Sequence, residues 1–140
     1  MVKRLLAAGH TVTGFNRTKS KAQWLLDAGM KWADSPRAAV ESSEAVFSMI
    51  ANDSALRSVT EGEDGILAGL SAGKIYIEMS TVSPAAIREL ARQVEAKDAQ
   101  MLDAPVSGSS ITLDEGKLSF MVGGKREIFE KVLPYLHAIG

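Results

Sequence analysis

Residues Met101–Ser110 read MLDAPVSGSS, and the rest of the chain is best read outward from them. The apolar pair Met101-Leu102 stops at Asp103 and Pro105, and the chain passes at once into Ser107, Gly108, Ser109 and Ser110. A buried strand that gives way to a polar loop is the pattern of an open α/β sheet, whose ligands lie just beyond the carboxyl ends of the strands. Backbone N–H groups and hydroxyls in such a loop can hold an anion, so an oxyanion or carboxylate is the expected ligand. Taken alone, Pro105 and the Ser/Gly cluster are also ordinary turn-formers.

The flanking segments alternate between helix and strand periodicity. Val2, Leu5 and Leu6 share a helical face that ends at Gly9, and Thr11–Phe15 is a short β-branched and aromatic strand. Asn16-Arg17-Thr18 turns into a second helix expected to bury Ala22, Leu25 and Leu26, and Met30–Ala33 reads as a brief strand. Ser35-Pro36 starts a short helix to Glu41, Ala45–Ile50 is a strand, and Asn52 or Asp53 caps a helix to about Val59. Glu61–Gly73 reads as a loop with a helical turn around Ile66–Leu70. Ile75–Met79 is a strand, and the helix from Pro84 buries Ile87, Leu90, Ala91 and Val94. Beyond the loop, Leu118–Val122 is another strand. A last helix from Arg126 to about Ile139 buries Ile128, Phe129, Val132, Leu133 and Leu136, with a kink or break expected at Pro134. This alternation predicts parallel βαβ units in one doubly wound α/β sheet, a Rossmann-type domain over residues 1–140.

Composition narrows the function. The chain has 140 residues, 46% hydrophobic and 24% charged, which suits one globular domain. A net charge of -1 gives no field for nucleic acid or an acidic membrane. With no cysteine, thiolate chemistry and Cys-based zinc sites are excluded; His10 and His137 are too few and too far apart for a metal cluster. Leu5–Ala8 is shorter than the roughly 7 to 15 apolar residues of a signal core, and no stretch approaches the roughly 20 of a membrane span. A cytoplasmic enzyme without metal is the expectation.

A dinucleotide-binding βαβ unit carries its glycine-rich turn about 20 residues before the position that reads the ribose, at the end of strand two. If Thr11–Phe15 is that strand, Asn16 is the reading position, and counting back runs off the chain before Met1. The expectation is therefore a Rossmann-type sheet lacking its first strand and its glycine-rich turn. That strand is central in the order 3-2-1-4-5-6, so the sheet should close up, leave a gap or borrow a strand, and be poorly stable alone. NAD enzymes usually place an acid at the reading position. Here Asn16, Arg17 and Thr18 remove the carboxylate and add a guanidinium and a hydroxyl, which suits the 2′-phosphate of NADP through charge-assisted bonds; NAD is the lesser possibility. The alternative is a plain helix start with Thr18 as N-cap and Arg17 solvated.

Asp103-Ala104-Pro105-Val106-Ser107-Gly108-Ser109 resembles the DAPVSGG signature of the β-hydroxyacid dehydrogenases, the group of 3-hydroxyisobutyrate, tartronate semialdehyde and glyoxylate/succinic semialdehyde reductases. The resemblance implies that Ser107, Gly108 and Ser109 hold a substrate carboxylate. Ser109 replaces the usual Gly, which narrows the site or adds a hydroxyl contact. Asn16-Arg17-Thr18 resembles the NADP-preferring members. Met49-Ile50-Ala51 is similar to the family's Met-Leu-Pro and implies backbone contacts from Ile50 and Ala51 to the adenine and ribose. Glu78-Met79-Ser80-Thr81-Val82-Ser83-Pro84 resembles D-M-S-T-x-S-P and implies that Thr81 approaches the nicotinamide. Without the resemblance, both segments also read as strand core followed by a helix cap.

The family's proton donor is a lysine on a later helix in a second, all-helical domain, so no catalytic residue is expected within residues 1–140; Lys117 and Lys125 read as solvated. The resemblance thus implies an NADP-dependent reductase or dehydrogenase of a small β-hydroxyacid or its semialdehyde, present as a fragment and homo-oligomeric at full length. The rivals are a 6-phosphogluconate dehydrogenase-like enzyme and a non-catalytic NADP-binding module.

Overall fold

The computed structural model describes residues 1–140. Helix α1 (Val2–Ala7) buries Leu5, and Gly9 at φ +89° turns the chain out of it. Strand β1 (Thr13–Gly14) pairs in parallel with β2 (Lys31–Trp32). Between them run a 3-10 turn (Lys19–Ala22) and α2 (Gln23–Asp27). Gly14 lies close under the Met30 side chain, whose sulfur would stand 2.4 Å from a Cβ and would have to move to admit one. Ser35 accepts the Ala38 N–H at 3.0 Å and starts α3 (Pro36–Glu41), with Pro36 in the first turn, where its missing N–H has no helical role.

Strands β3 (Ala45–Ser48), β4 (Ile75–Glu78) and β5 (Gln100–Asp103) form a parallel sheet with β4 at its centre. Helices α4 (Asp53–Thr60), α5 (Ile66–Gly69) and α6 (Pro84–Glu95) lie between these strands in sequence. Beyond β5, β6 (Val106–Ser107) pairs antiparallel with β7 (Ser119–Phe120) around α7 (Ser110–Asp114), and α8 (Arg126–Ile139) ends the chain. Side chains alternate across the sheet. Val46 and Tyr76 pack with Val40, Leu56, Leu90 and Val94 on one face, while Ile77 and Leu102 pack with Ile128, Val132 and Leu136 on the other. Covered on both faces, the sheet is doubly wound, an α/β domain of Rossmann type.

Several sequence expectations are revised. The parallel strands do not join into one ladder: no strand pairing connects β1–β2 to β3–β4–β5, so the gap is the outcome realised. Thr11–Phe15 contracts to two paired residues, and Leu25 and Leu26 are only half-buried, leaving Ala22 as the buried residue of that face. Phe129 and Leu133 on α8 are likewise half-buried, as are Ile87 and Ala91 on α6. Helix α8 runs on through Pro134 without a break. The segment after Ser107 is not an open loop, since Ser109 caps α7.

Candidate cofactor and substrate site

The ladder sets Ser48, Glu78 and Asp103 side by side at the carboxyl end of the three-stranded sheet. The segments that follow, Met49–Asn52, Met79–Ser83 and Ala104–Ser109, therefore leave from one rim. Six of the expected contact positions, Ile50, Ala51, Thr81, Ser107, Gly108 and Ser109, lie on these segments. Arg17 follows the carboxyl end of β1, in the other parallel sheet.

A buried polar cluster holds this rim. Glu78 is fully buried (0% exposed). Its carboxylate accepts the Ser80 N–H at 2.8 Å and the Tyr76 hydroxyl at 2.7 Å, and it also bonds the Ser48 hydroxyl. The Ser80 hydroxyl in turn accepts the Ile50 N–H at 2.7 Å, so the first turn after β3 is tied to the first turn after β4. Burial, then the Glu78 charge, push the Tyr76 hydroxyl well above its ordinary pKa, so it stays a donor. The same two causes raise the Asp103 carboxyl. Sequence reading overlooked this cluster; its one signal was an acid inside the apolar strand Ile75-Tyr76-Ile77-Glu78.

A second tie lies just outside. Asp53, in the first turn of α4, accepts the Ser83 N–H at 2.9 Å and the Ser83 hydroxyl at 2.5 Å, which holds its carboxyl below the usual aspartate value. Asn52, not Asp53, is the cap of α4 and accepts the Ala55 N–H at 2.9 Å.

In the Ser107–Ser109 loop the three expected residues differ. Gly108 has φ +142°, and a Cβ would stand 2.5 Å from Thr112 Oγ1 and 2.6 Å from Leu118 Cδ2, so the backbone needs glycine here. Ser109 is committed to a capping box: its N–H donates to Thr112 Oγ1 at 2.7 Å and its hydroxyl accepts the Thr112 N–H at 3.4 Å. Ser109 thus shapes the loop, and the extra hydroxyl that replaces the family's glycine is spent internally. Ser107 is exposed, and the Gly108 N–H has no backbone partner.

In the Arg17 turn, Asn16 Nδ2 donates to the Thr18 carbonyl at 2.8 Å. Thr18 occupies the cap position of the 3-10 turn, but its hydroxyl makes no capping bond. Arg17 is exposed and enters none of the ion pairs, which join Arg37–Glu41, Arg92–Glu89 and Lys117–Glu115. A free guanidinium and a free hydroxyl on a turn after a parallel strand fit a phosphate dianion. Lys117 and Lys125 are exposed, bonded to Glu115 and Gln100, as expected of solvated lysines.

Comparison with known proteins agrees with this architecture. A family model described as the NAD binding domain of 6-phosphogluconate dehydrogenase matches residues 1–140. The chain belongs to that family of NAD(P)-binding Rossmann domains. It is 40% identical over 99% of its length to an uncharacterized oxidoreductase of Shewanella frigidimarina, of which it covers 48%. It is 36% identical over its whole length to a probable 3-hydroxyisobutyrate dehydrogenase-like protein of Arabidopsis thaliana, covering 47% of that protein. Among solved structures, Psf3 in complex with NADP+ and 2-OPP superposes with a TM-score of 0.93 at 29% identity, over 99% of this chain and 49% of that one. The chain spans about half the length of the curated relatives it matches. No helix is long and apolar enough to cross a membrane.

Proposed function

We propose that this chain is the NADP-binding part of an oxidoreductase that moves a hydride between NADP(H) and a small β-hydroxyacid or its semialdehyde. The observation that carries the reading is the turn after β1, where Arg17 and Thr18 offer a cation and a hydroxyl that the fold itself does not use. Asn16, Arg17 and Thr18 would hold the 2′-phosphate, the backbone at Ile50 and Ala51 would line the adenine and ribose side, and Thr81 would stand at the nicotinamide end. When bound, the cofactor supplies the hydride. Ser107 and the Gly108 N–H would orient the substrate carboxylate, with Ser109 holding that loop in shape. We assign no proton donor to residues 1–140; small-molecule substrate and homo-oligomeric assembly belong to the same reading of the complete protein. The solved NADP+ complex supports NADP over NAD, and the 3-hydroxyisobutyrate dehydrogenase-like relative supports the substrate class.

The description of the matching family model favours one rival, an enzyme acting on 6-phosphogluconate. A panel of small hydroxyacids, semialdehydes and 6-phosphogluconate, assayed on the complete protein with NADP(H) and NAD(H), separates the two. Turnover of a three- or four-carbon hydroxyacid or semialdehyde with NADP(H) is expected; turnover of 6-phosphogluconate alone would contradict the reading.

A further inference from the structure

We infer that Glu78 is a positioning residue for the cofactor rim, fixing the backbone at Ile50 and Ser80 from its buried place at the end of β4. The argument starts from cost. A carboxylate with no exposed surface loses its hydration, and such groups persist only where hydrogen bonds replace the water. Glu78 has three such bonds, from the Ser80 N–H, the Tyr76 hydroxyl and the Ser48 hydroxyl.

Two of the three partners come from the central strand and the turn after it, and the third from β3, so the carboxylate ties adjacent carboxyl ends together. The bond that matters for function is the next one. With its N–H held by Glu78, Ser80 presents its hydroxyl to the Ile50 N–H, 30 residues away in sequence, at 2.7 Å. Ile50 and Ala51 follow β3, and Thr81 follows Ser80 directly. One buried side chain thereby sets the relative placement of two segments assigned to opposite ends of the dinucleotide.

An apolar residue at 78 would fill the core without this linkage, and the Ser48 and Tyr76 hydroxyls, 2.6 Å apart, could satisfy one another. The carboxylate is not needed to bury the strand. Its remaining role is to hold the rim.

The inference rests on the reading of Ile50 and Thr81 as cofactor contacts, and the test separates the two. In the complete protein, Glu78→Leu and Ser80→Ala are compared with the native protein by NADPH titration and by amide hydrogen exchange at Ile50. Losing a hydrogen bond to a buried carboxylate predicts an NADPH Kd raised by roughly 10-fold in Glu78→Leu and by about 3- to 10-fold in Ser80→Ala. Exchange at Ile50 should rise by about 10-fold or more in both, while amides in the middle of β4 stay protected. Glu78→Asp keeps a carboxylate that can still accept the Ser80 N–H two residues on, so it should bind NADPH within about 3-fold of the native protein.

If Glu78→Leu does not fold, Ser80→Ala decides whether the Ser80–Ile50 tie, through which Glu78 acts, sets the cofactor contacts. Lowered thermal stability with native Kd and native exchange at Ile50 would overturn the inference, because that is the result of a merely structural role. Faster exchange with an unchanged Kd in a protein that binds NADPH would overturn it equally. Should the native protein not bind NADPH at all, the function proposed above fails, and exchange at Ile50 alone still decides whether Glu78 holds the rim.

Discussion

At the carboxyl end of β3–β5 the backbone is held by side chains from neighbouring elements: Glu78 on the Ser80 N–H, Ser80 on the Ile50 N–H and Asp53 on the Ser83 N–H. At the carboxyl end of β1 only local bonds order the turn, Asn16 Nδ2 and the Lys21 N–H both donating to the Thr18 carbonyl, supported by the Phe15 and Trp32 rings 5.9 Å apart. The first rim is built into the core, whereas the second stands on a sheet of two residues per strand, Thr13–Gly14 against Lys31–Trp32. The difference separates two ways of making a site. Where the fold supplies the geometry, the side chains are committed to it, as Ser109 is to its capping box. At the other rim a charged residue is idle in the fold, as Arg17 is.

That contrast can be broken by substitution. The largest effect should come from Gly108→Val on the first rim. A side chain at φ +142°, with Thr112 Oγ1 and Leu118 Cδ2 under 3 Å from its Cβ, should cost about 3 kcal/mol or more in urea unfolding. Asn52→Ala, which removes the α4 cap, should cost about 1 kcal/mol by the same measurement. Arg17→Ala should stay within about 0.5 kcal/mol of the native protein, since no bond in the fold depends on it. A loss of 2 kcal/mol or so there would erase the contrast.

Asp103 gives a test through pH. Burial and the Glu78 charge raise its folded-state pKa, so its ionised form opposes folding. Stability is fully present while the group is protonated in both states and is lost as pH rises through the folded pKa. Asp103→Asn should therefore raise the thermal midpoint at neutral pH, and the advantage should vanish as pH falls below the ordinary aspartate value of 3.8. An advantage independent of pH would show that charge is not its source.

The parts of the fold governed by neighbouring residues were legible in the sequence. Ser35-Pro36, Asn52 and Ser83-Pro84 start helices because a hydroxyl or amide oxygen three residues back captures an N–H, and that chemistry needs no knowledge of the rest of the molecule. The Glu78 cluster was not legible, because Ser48 and Tyr76 are 28 residues apart and meet only through the register of β3 on β4. Which of the three outcomes for the sheet is realised was not legible for the same reason: Thr11–Phe15 has strand composition along its length, but its ladder with Lys31–Trp32 is confined to Thr13 and Gly14. The capping pair Ser109–Thr112 was local and could have been read. Ser109 fits both the resemblance to a substrate-binding signature and a plain helix start, and the structure shows it as the latter.

The central claim is that the Arg17 turn binds the phosphorylated ribose, and the most direct measurement is the ratio of NADPH to NADH affinity in the complete protein before and after Arg17→Asp. Loss of a charge-assisted contact and its replacement by a repelling carboxylate should weaken NADPH by roughly 10- to 100-fold and leave NADH nearly unchanged, moving preference toward NADH. An unchanged ratio would remove Arg17 from the site and contradict the account.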